Sequence, residues 1–458
     1  MGRRRAIIWI RGKFKARLTG LQLKSAASGM MNDVNRFAQP SGLSYMNPAF
    51  DESGLSHHDR LVAHNRAQAD QHPATQSLDL IGIVGAGLMG SSIAENCIRS
   101  GKKVRLLDAN QDAAQSAVTR IKAANPNADI EQVLSYDRLT DVDLVIESVV
   151  ETIEVKKIVL EKIRSSIGPS TLLATNTSAI PLAKLLPFVE HPERFCGIHF
   201  CHPELMSLVE VVRSTETSNH SLANAVGFVK SLDKMPVVVN DCAGFVVNRL
   251  LAAMIDQSVR LLMSGISIEQ IDAAMRDFGF QGGPFEIMDI IGIDTCMYAG
   301  RTMWEAGVEC VSLSPVLPRL VKKQRLGRKT NAGFYRYETL RGNAISDPEL
   351  LPIIEGYRDD ESIDLSPAEI CHQILAAVTR EASLILADEI VTDPHDVDLC
   401  IIHGFSFPDH QGGILYWADQ FGIENIVKTL ETISKSEPKR SPPECLRTMA
   451  RSGKSFYR

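Results

Sequence analysis

Apolar residues follow two regimes along this chain. Between positions 78 and 238 they form short, mostly apolar runs, at Leu80–Val84, 104–107, 143–147, 171–175, Phe195–Phe200 and 207–212. Runs of this length without polar alternation predict strands buried on both faces. Between them, Gln111–Ala124 and 153–163 carry apolar residues at helical spacing, and Pro126 with Asn127 breaks the first of these. Strands alternating with helices predict a doubly wound, mostly parallel α/β sheet, with its ligand crevice at the carboxyl ends of the strands. Asn176, Ser178 and His199 fall at or near such ends.

Beyond Asn240 the period becomes helical: 245–263 reads as one long helix, and helical segments dominate from there to the end. This half also repeats itself. Gln281-Gly-Gly-x5-Asp289-x2-Gly292 returns as Gln411-Gly-Gly-x5-Asp419-x2-Gly422. Leu250-Leu-Ala-Ala-Met254 is echoed by Ile374-Leu-Ala-Ala-Val378, and Ile271-Asp272 by Val397-Asp398. The offset between copies grows from 124 to 126 to 130 residues, the ordered drift expected of a duplicated domain with small insertions. The chain therefore divides, on its sequence, into a leader (1–77), a doubly wound domain (78–238) and two related all-α domains (239–341 and 342–458).

The first strand ends in Gly85-x-Gly87-x-x-Gly90. A helical pattern follows to Ile98, Gly101 closes it, and the next strand ends at Asp108. This order is that of a Rossmann dinucleotide site. Its glycines allow the tight turn, the approach of backbone to pyrophosphate and close helix–strand packing, while free N–H groups at the helix start face the phosphates. Asp108 stands where a carboxylate accepts ribose hydroxyls. Ala109 and Asn110 offer no cation for a 2′-phosphate, which favours NAD over NADP. A lone glycine motif is a weak signal, but strand, turn, helix, strand and terminal acid stand in register here.

Composition narrows the picture further. A chain of 458 residues, 44% hydrophobic and 23% charged, suits a globular protein of two or three domains. Its net charge of -6 argues against a nucleic-acid or membrane-surface role. The nine cysteines include no CxxC pair and no zinc-spaced Cys/His cluster, so they read as reduced thiols in a cytoplasm-like compartment, with no metal expected. No apolar run approaches the ~18 residues of a membrane span. Eight basic residues and no acidic one precede Asp33. That start reads as a tail or as an early start codon ahead of Met30 or Met31; the alternative is a mitochondrial transit peptide. Residues 34–76 show no periodicity, so 1–77 reads as a basic, disordered leader.

Taken together, the chain resembles the L-3-hydroxyacyl-CoA dehydrogenases of fatty-acid β-oxidation, and most nearly the dehydrogenase half of the multifunctional fatty-acid oxidation complex α subunit. The resemblance runs from about Leu78 to the C-terminus. It rests on Gly85-Ala-Gly-Leu-Met-Gly90, Val149-Val-Glu151 with Lys156, Asn176-Thr-Ser178, Gly197-Ile-His-Phe200, Leu208-Val-Glu210, Gly244-Phe-Val-Val-Asn-Arg249, Gly282-Gly-Pro284 and Gly327-Arg-Lys-Thr-x-x-Gly-Phe-Tyr335. It implies NAD-dependent oxidation of L-3-hydroxyacyl-CoA to 3-ketoacyl-CoA, with His199 as general base paired to Glu210. Ser178 and Asn248 would hydrogen-bond the reacting oxygen. Gly85, Gly87, Met89, Gly90, Asp108, Val150, Glu151, Lys156, Ser178, His202 and Lys329 would line the cofactor site. The implied partners are an acyl-CoA substrate and a separate enoyl-CoA hydratase and thiolase. Alone, each residue has a plainer reading: a strand-end histidine is ordinarily a satisfied polar group, Ser178 could be a helix cap, and most lysines are solvated.

Three departures bear on that reading. Where the family usually writes His-Phe-Phe-Asn-Pro, this chain has His199-Phe-Cys-His202-Pro, so an imidazole replaces an amide that contacts the cofactor near the nicotinamide. The stretch between Asp108 and Glu147 is short for the family and lacks the helical hairpin that helps clasp CoA, which leaves open a 3-hydroxy acid not carried on CoA. No hydratase half is expected within the 78 residues before the first strand. A non-catalytic NAD-binding protein on the same scaffold is the third reading. The second helical copy is expected to stand where short relatives place a partner chain, as an internal pseudo-dimer.

Overall fold

In the computed structural model the described residues are 56–339, 342–358 and 363–457. One eight-stranded sheet holds the α/β half: β1 (Leu80–Val84), β2 (Lys103–Leu107), β3 (Ile130–Gln132), β4 (Leu144–Glu147), β5 (Leu172–Thr175), β6 (Phe195–Phe200), β7 (Leu208–Arg213) and β8 (Met235–Asn240). Its order is β3-β2-β1-β4-β5-β6-β7-β8, and every neighbouring pair is parallel except β6–β7. β4, β5 and β6 are buried throughout, which is why their sequences run apolar without alternation. Around the sheet lie α2 (Leu88–Arg99), α3 (Gln111–Ala124), α4 (Ile153–Arg164) and α5 (Asn219–Ser231), with α1 (His57–Asp70) preceding it in the chain. Strand order reverses at β1 and β4, so the crevice opens where the glycine turn leaves β1.

The expected leader is corrected here in part. Residues 1–55 lie outside the described residues, but α1 is a capped helix. Ser56 accepts from the Asp59 amide while the Asp59 carboxylate accepts from Ser56. Its buried residues are His57, Leu61, Asn65 and Ala69, one face at helical spacing with two polar members. That composition hides the stripe from a hydrophobicity reading. Asn65 Nδ2 donates to the Pro236 carbonyl of β8 at 2.7 Å, which satisfies the buried amide. The strap behind α1 is also held, since Thr75 donates twice to Asn224 on α5.

The C-terminal half comprises α6 (Val247–Met263), α7 (Ile268–Phe278), α8 (Pro284–Ile291), α9 (Ile293–Glu305), α10 (Val316–Lys322), α11 (Pro367–Ala387), α12 (Pro394–Phe405), α13 (Ile414–Phe421), α14 (Ile423–Ser434) and α15 (Glu444–Ser452). The duplication is visible as one hydrogen-bonding device built twice. Asp272 accepts from the Phe285 and Glu286 amides at the start of α8 and from the Tyr335 hydroxyl; Asp289 accepts from the Phe334 and Tyr335 amides. In the second copy Asp398 accepts from Leu415, Tyr416 and the Tyr457 hydroxyl, and Asp419 from the Phe456 and Tyr457 amides. Each device needs a glycine: a Cβ on Gly283 or Gly413 would stand 2.1 or 2.3 Å from the facing aspartate's Cγ.

The copies meet along α6 and α11, where Arg249 pairs with Glu381 and Gln257 with Gln373. α11 is long and apolar enough to cross a membrane by length and composition alone, although its apolar residues are interrupted by His372, Gln373, Thr379, Arg380 and Glu381. Two thirds of its apolar window (67%) is buried inside the protein, as in the core helix of a folded domain. All nine cysteines are free.

Candidate active site

The glycine turn makes a cradle that side chains would fill. A Cβ on Gly85 (φ +112°) would lie 2.3 Å from the Ser148 carbonyl, and one on Gly90 would lie 1.9 Å from the Gly85 carbonyl. Gly87 meets nothing within 4 Å and opens to the crevice. Asp108 accepts from the Ala86 amide at 2.6 Å and the Asn110 amide at 2.7 Å. The acid at the end of β2 is thereby locked to the turn beside β1, with lone pairs left for ribose hydroxyls. Leu88 and Val150 are exposed and Met89 half-buried around this turn. These groups fit a dinucleotide.

Behind the turn lies a carboxylate network that the sequence reading missed. Glu147, fully buried at the end of β4, accepts from Lys156 Nζ at 2.9 and 3.0 Å, from Thr175 Oγ1 at 2.7 Å and from the Val149 amide at 2.8 Å. Lys156 also stands 3.3 Å from Glu151. Its side chain is 1% exposed, so its ammonium faces two carboxylates rather than the crevice. The place expected for it in the cofactor lining would therefore be reached through Glu151. Glu151 in turn organises the next loop, where its Oε1 accepts from Thr177 Oγ1, Ser178 N, Ser178 Oγ and Ala179 N at 2.6 to 3.2 Å. Burial raises its pKa, but the Lys156 ammonium and these donors outweigh burial and hold the carboxyl below its ordinary value. The signal for Glu147 was an acid closing an otherwise apolar strand.

The candidate dyad follows from strand register. His199 on β6 lies directly opposite Glu210 on β7, and His199 Nδ1 is 2.7 Å from Glu210 Oε2. The other oxygen of Glu210 accepts from the Val246 and Val247 amides at 2.9 and 3.2 Å, where α6 begins. Free N–H groups at a helix start suit a buried carboxylate. Glu210 is fully buried and His199 nearly so. The Asn176 side chain accepts from the Phe200 amide, holding the end of β6, and Asn248 Nδ2 donates to the Ser178 carbonyl at 2.8 Å. Ser178, His199, Glu210 and Asn248 are thus joined in one assembly.

Phe245 was read only as the start of a helix. It has φ +50° and is fully buried, its ring centroid is 5.7 Å from that of His199, and the helix begins two residues later. The left-handed turn aims the next two amides at Glu210, a strained position held by its surroundings. Phe245→Leu should cost about 1 kcal/mol in urea denaturation and lower kcat about tenfold by loosening the base. Unchanged kcat would show that the ring does not position His199.

The segment after β6 bridges the two halves. Lys234 Nζ donates to the Pro203 and Met206 carbonyls, Ser92 of α2 donates to Glu204, and Ser207 pairs with His403 of α12. His202 is half-buried with its Nδ1 buried and unpartnered among the described residues, and burial lowers its pKa. A buried ring nitrogen without a partner fits a ligand contact. Cys201 lies beside the dyad, and burial pushes its thiol well up. Lys329 pairs with Asp294 at the start of α9, and no hydrogen bond or ion pair among the described residues brings it to this site. That departs from the expected cofactor lining.

A dinucleotide cradle and a buried base–acid pair on one sheet define a Rossmann-type dehydrogenase site. The description "3-hydroxyacyl-CoA dehydrogenase, NAD binding domain" matches residues 80–242, and "3-hydroxyacyl-CoA dehydrogenase, C-terminal domain" matches residues 244–337. The chain belongs to the 3-hydroxyacyl-CoA dehydrogenase family, and its cofactor is NAD. It is similar to a fatty acid oxidation complex subunit alpha of Pseudomonas syringae, with 32% identity over 397 residues, 82% of this chain and 55% of the relative. The chain thus spans about half the length of the curated relatives it matches. The (S)-3-hydroxybutyryl-CoA dehydrogenase of Ralstonia eutropha is 32% identical, with a TM-score of 0.54, covering 57% of this chain and all of that one. The 3-hydroxybutyryl-CoA dehydrogenase of Escherichia coli shares the fold at 24% identity, with a TM-score of 0.71 over 82% of this chain and all of that one.

Proposed function

We propose that this chain oxidises L-3-hydroxyacyl-CoA to 3-ketoacyl-CoA with NAD. The observation that carries the reading is His199 bound through Nδ1 to a Glu210 whose other oxygen is held by the start of α6. With Nδ1–H donated to Glu210, Nε2 presents its lone pair and takes the proton of the substrate's 3-hydroxyl. Glu210 then stabilises the imidazolium. Gly85–Gly90 and Asp108 would hold NAD, the former at its pyrophosphate and the latter at a ribose, and NAD would there supply the hydride acceptor. Ser178 and Asn248, tied to each other, orient the reacting oxygen. The test follows NADH absorbance with L-3-hydroxybutyryl-CoA beside the free hydroxy acid. Turnover of the thioester is expected. Binding of NAD without turnover of either compound would overturn the reading.

A second reading, a 3-hydroxy acid not carried on CoA, is favoured by one observation. Between β2 and β4 the chain forms only α3, β3 and a short helical turn (Tyr136–Leu139), with no helical hairpin to clasp CoA. Activity on the free acid alone would select it. As partners the first reading takes an acyl-CoA substrate with a separate enoyl-CoA hydratase and thiolase. The pairing of α6 with α11 supports the internal pseudo-dimer, and nine free cysteines support a reducing compartment such as the cytoplasm.

His202 gives the site a pH dependence. Its pKa is lowered by burial, so the ring is neutral at pH 7 and charges only as pH falls below the ordinary histidine range. A cation beside the positively charged nicotinamide should weaken NAD binding as pH falls below about 6.5. His202→Asn should be flat over that range by fluorescence titration. A wild-type profile equally flat would remove His202 from the cofactor contact.

A further inference from the structure

Away from the dyad, α1 docks on the first turn of α12 through a cluster of imidazoles and carboxylates. His64 comes from α1. Asp393 is the N-cap of α12, and His395 and Asp396 lie in its first turn. His395 Nδ1 lies 2.7 Å from Asp393 Oδ1, His64 Nδ1 lies 3.9 Å from Asp393 Oδ2, and the two rings stack with centroids 4.7 Å apart. One ligand atom from each of His64, Asp393 and His395 falls within 4.8 Å of the others, and all three side chains are partly buried.

We propose that His64, Asp393 and His395 form a divalent transition-metal site, of the zinc class, that fastens α1 to the second helical copy. Nitrogen and carboxylate donors without thiolate suit Zn2+, Co2+ or Ni2+. With metal–ligand bonds of about 2.0–2.1 Å, neighbouring donors of a tetrahedral ion stand about 3.3 Å apart. The 2.7 Å contact is a hydrogen bond from His395 Nδ1 to Asp393 Oδ1 whose proton the metal would displace, and the 3.9 Å contact reaches the other oxygen, Oδ2, so both rings turn toward the shared ion when it binds. The outer sphere is already in place. His64 Nε2 faces Asp396 Oδ1 at 3.2 Å, which makes Nε2 the donor and turns the Nδ1 lone pair toward Asp393. A carboxylate bound to the far nitrogen of a ligating histidine is the usual second partner in such sites. Three protein donors leave the fourth position to water. Asp393 and Asp396 together offset the positive end of the α12 dipole, which by itself disfavours a cation there.

This site stands apart from the proposed reaction, since neither histidine belongs to the dyad or the cofactor cradle. The full chain, freed of metal with chelator, would be titrated with Zn2+ and with Co2+, reading metal bound per chain, visible Co2+ absorption and the thermal midpoint. One equivalent should bind and raise the midpoint. His64→Ala and His395→Gln should each abolish that rise, and Asp396→Asn should weaken binding roughly tenfold. The metal-free midpoint and NADH-forming activity of each variant report whether it folds. Cys201→Ser separates binding here from metal captured at the His199, Cys201 and Glu210 cluster. Absence of Zn2+ binding, binding that survives both histidine variants, or binding lost only in Cys201→Ser would overturn the proposal.

Discussion

Replacing Glu210 by Gln should lower kcat about 10²–10⁴-fold, nearly as much as removing His199 itself. The reason is a tautomer. The Val246 and Val247 amides both donate to Glu210 Oε1, so a glutamine must turn its carbonyl oxygen toward them. Its NH2 group then faces His199 Nδ1 across the 2.7 Å contact. Nδ1 is forced to accept, the ring proton moves to Nε2, and the nitrogen facing the substrate is no longer a base. KM for the thioester should change little, because no substrate contact is removed. His199→Gln removes the base outright and should fall at the low end of activity without regaining a pH-dependent limb. Glu210→Asp keeps the charge and should recover part of the rate. Stopped-flow and steady-state NADH formation would check all three. A Gln variant within a factor of ten of wild type would exclude the dyad as the proton acceptor.

Lys156→Met should destabilise the protein by about 3–5 kcal/mol, since it leaves a buried carboxylate without its counter-charge. Glu147 is fully buried, and Lys156 supplies two of its hydrogen bonds while also facing Glu151. The loss therefore spreads to the Ser178 loop, which Glu151 holds with four donors, and NAD and substrate binding should weaken together. Glu147→Gln added to Lys156→Met should restore part of the stability, because the amide still accepts from Thr175 or Val149 without carrying charge. Lys157→Met, one residue away and exposed, should stay within about 0.5 kcal/mol. Urea denaturation of the four proteins is the measurement. A Lys156 variant as stable as the Lys157 control would mean that the pairing of Lys156 with Glu147 does not hold the fold together.

These two sites differ in how much of them the chain's local pattern reveals. The glycine turn, Asp108, Ser178 and His199 were legible because each stands at or near the end of an apolar run, where a doubly wound sheet presents its residues to the crevice, whereas Glu210 lies inside β7 and was read from the family motif Leu208-Val-Glu210. His199 and Glu210 could be paired because they lie on adjacent runs joined by a short segment. Lys156 and Lys329 were expected along the cofactor, and the structure pairs both with carboxylates. A lysine's four-carbon stem lets its charge settle several ångströms from where the backbone suggests, and nearby carboxylates decided the matter: Glu147 for one and Asp294 for the other. The duplication was readable from Asp272, Asp289 and their copies, though the roles of Tyr335 and Tyr457 were not.

The sequence alone determined the sheet, the cradle, the candidate dyad and the repeated helical half, because all four rest on periodicity or on motifs within short windows. Tertiary structure decided the rest. It folded α1 onto β8 and α12 although half of its inward face is polar: the Pro236 carbonyl accepts from Asn65, and the His57 ring stacks on Tyr416. It set Phe245 in a left-handed turn so that two amides meet Glu210. It buried an apparently membrane-length helix against its own duplicate. Each outcome depends on partners far away in the chain, which local pattern does not encode.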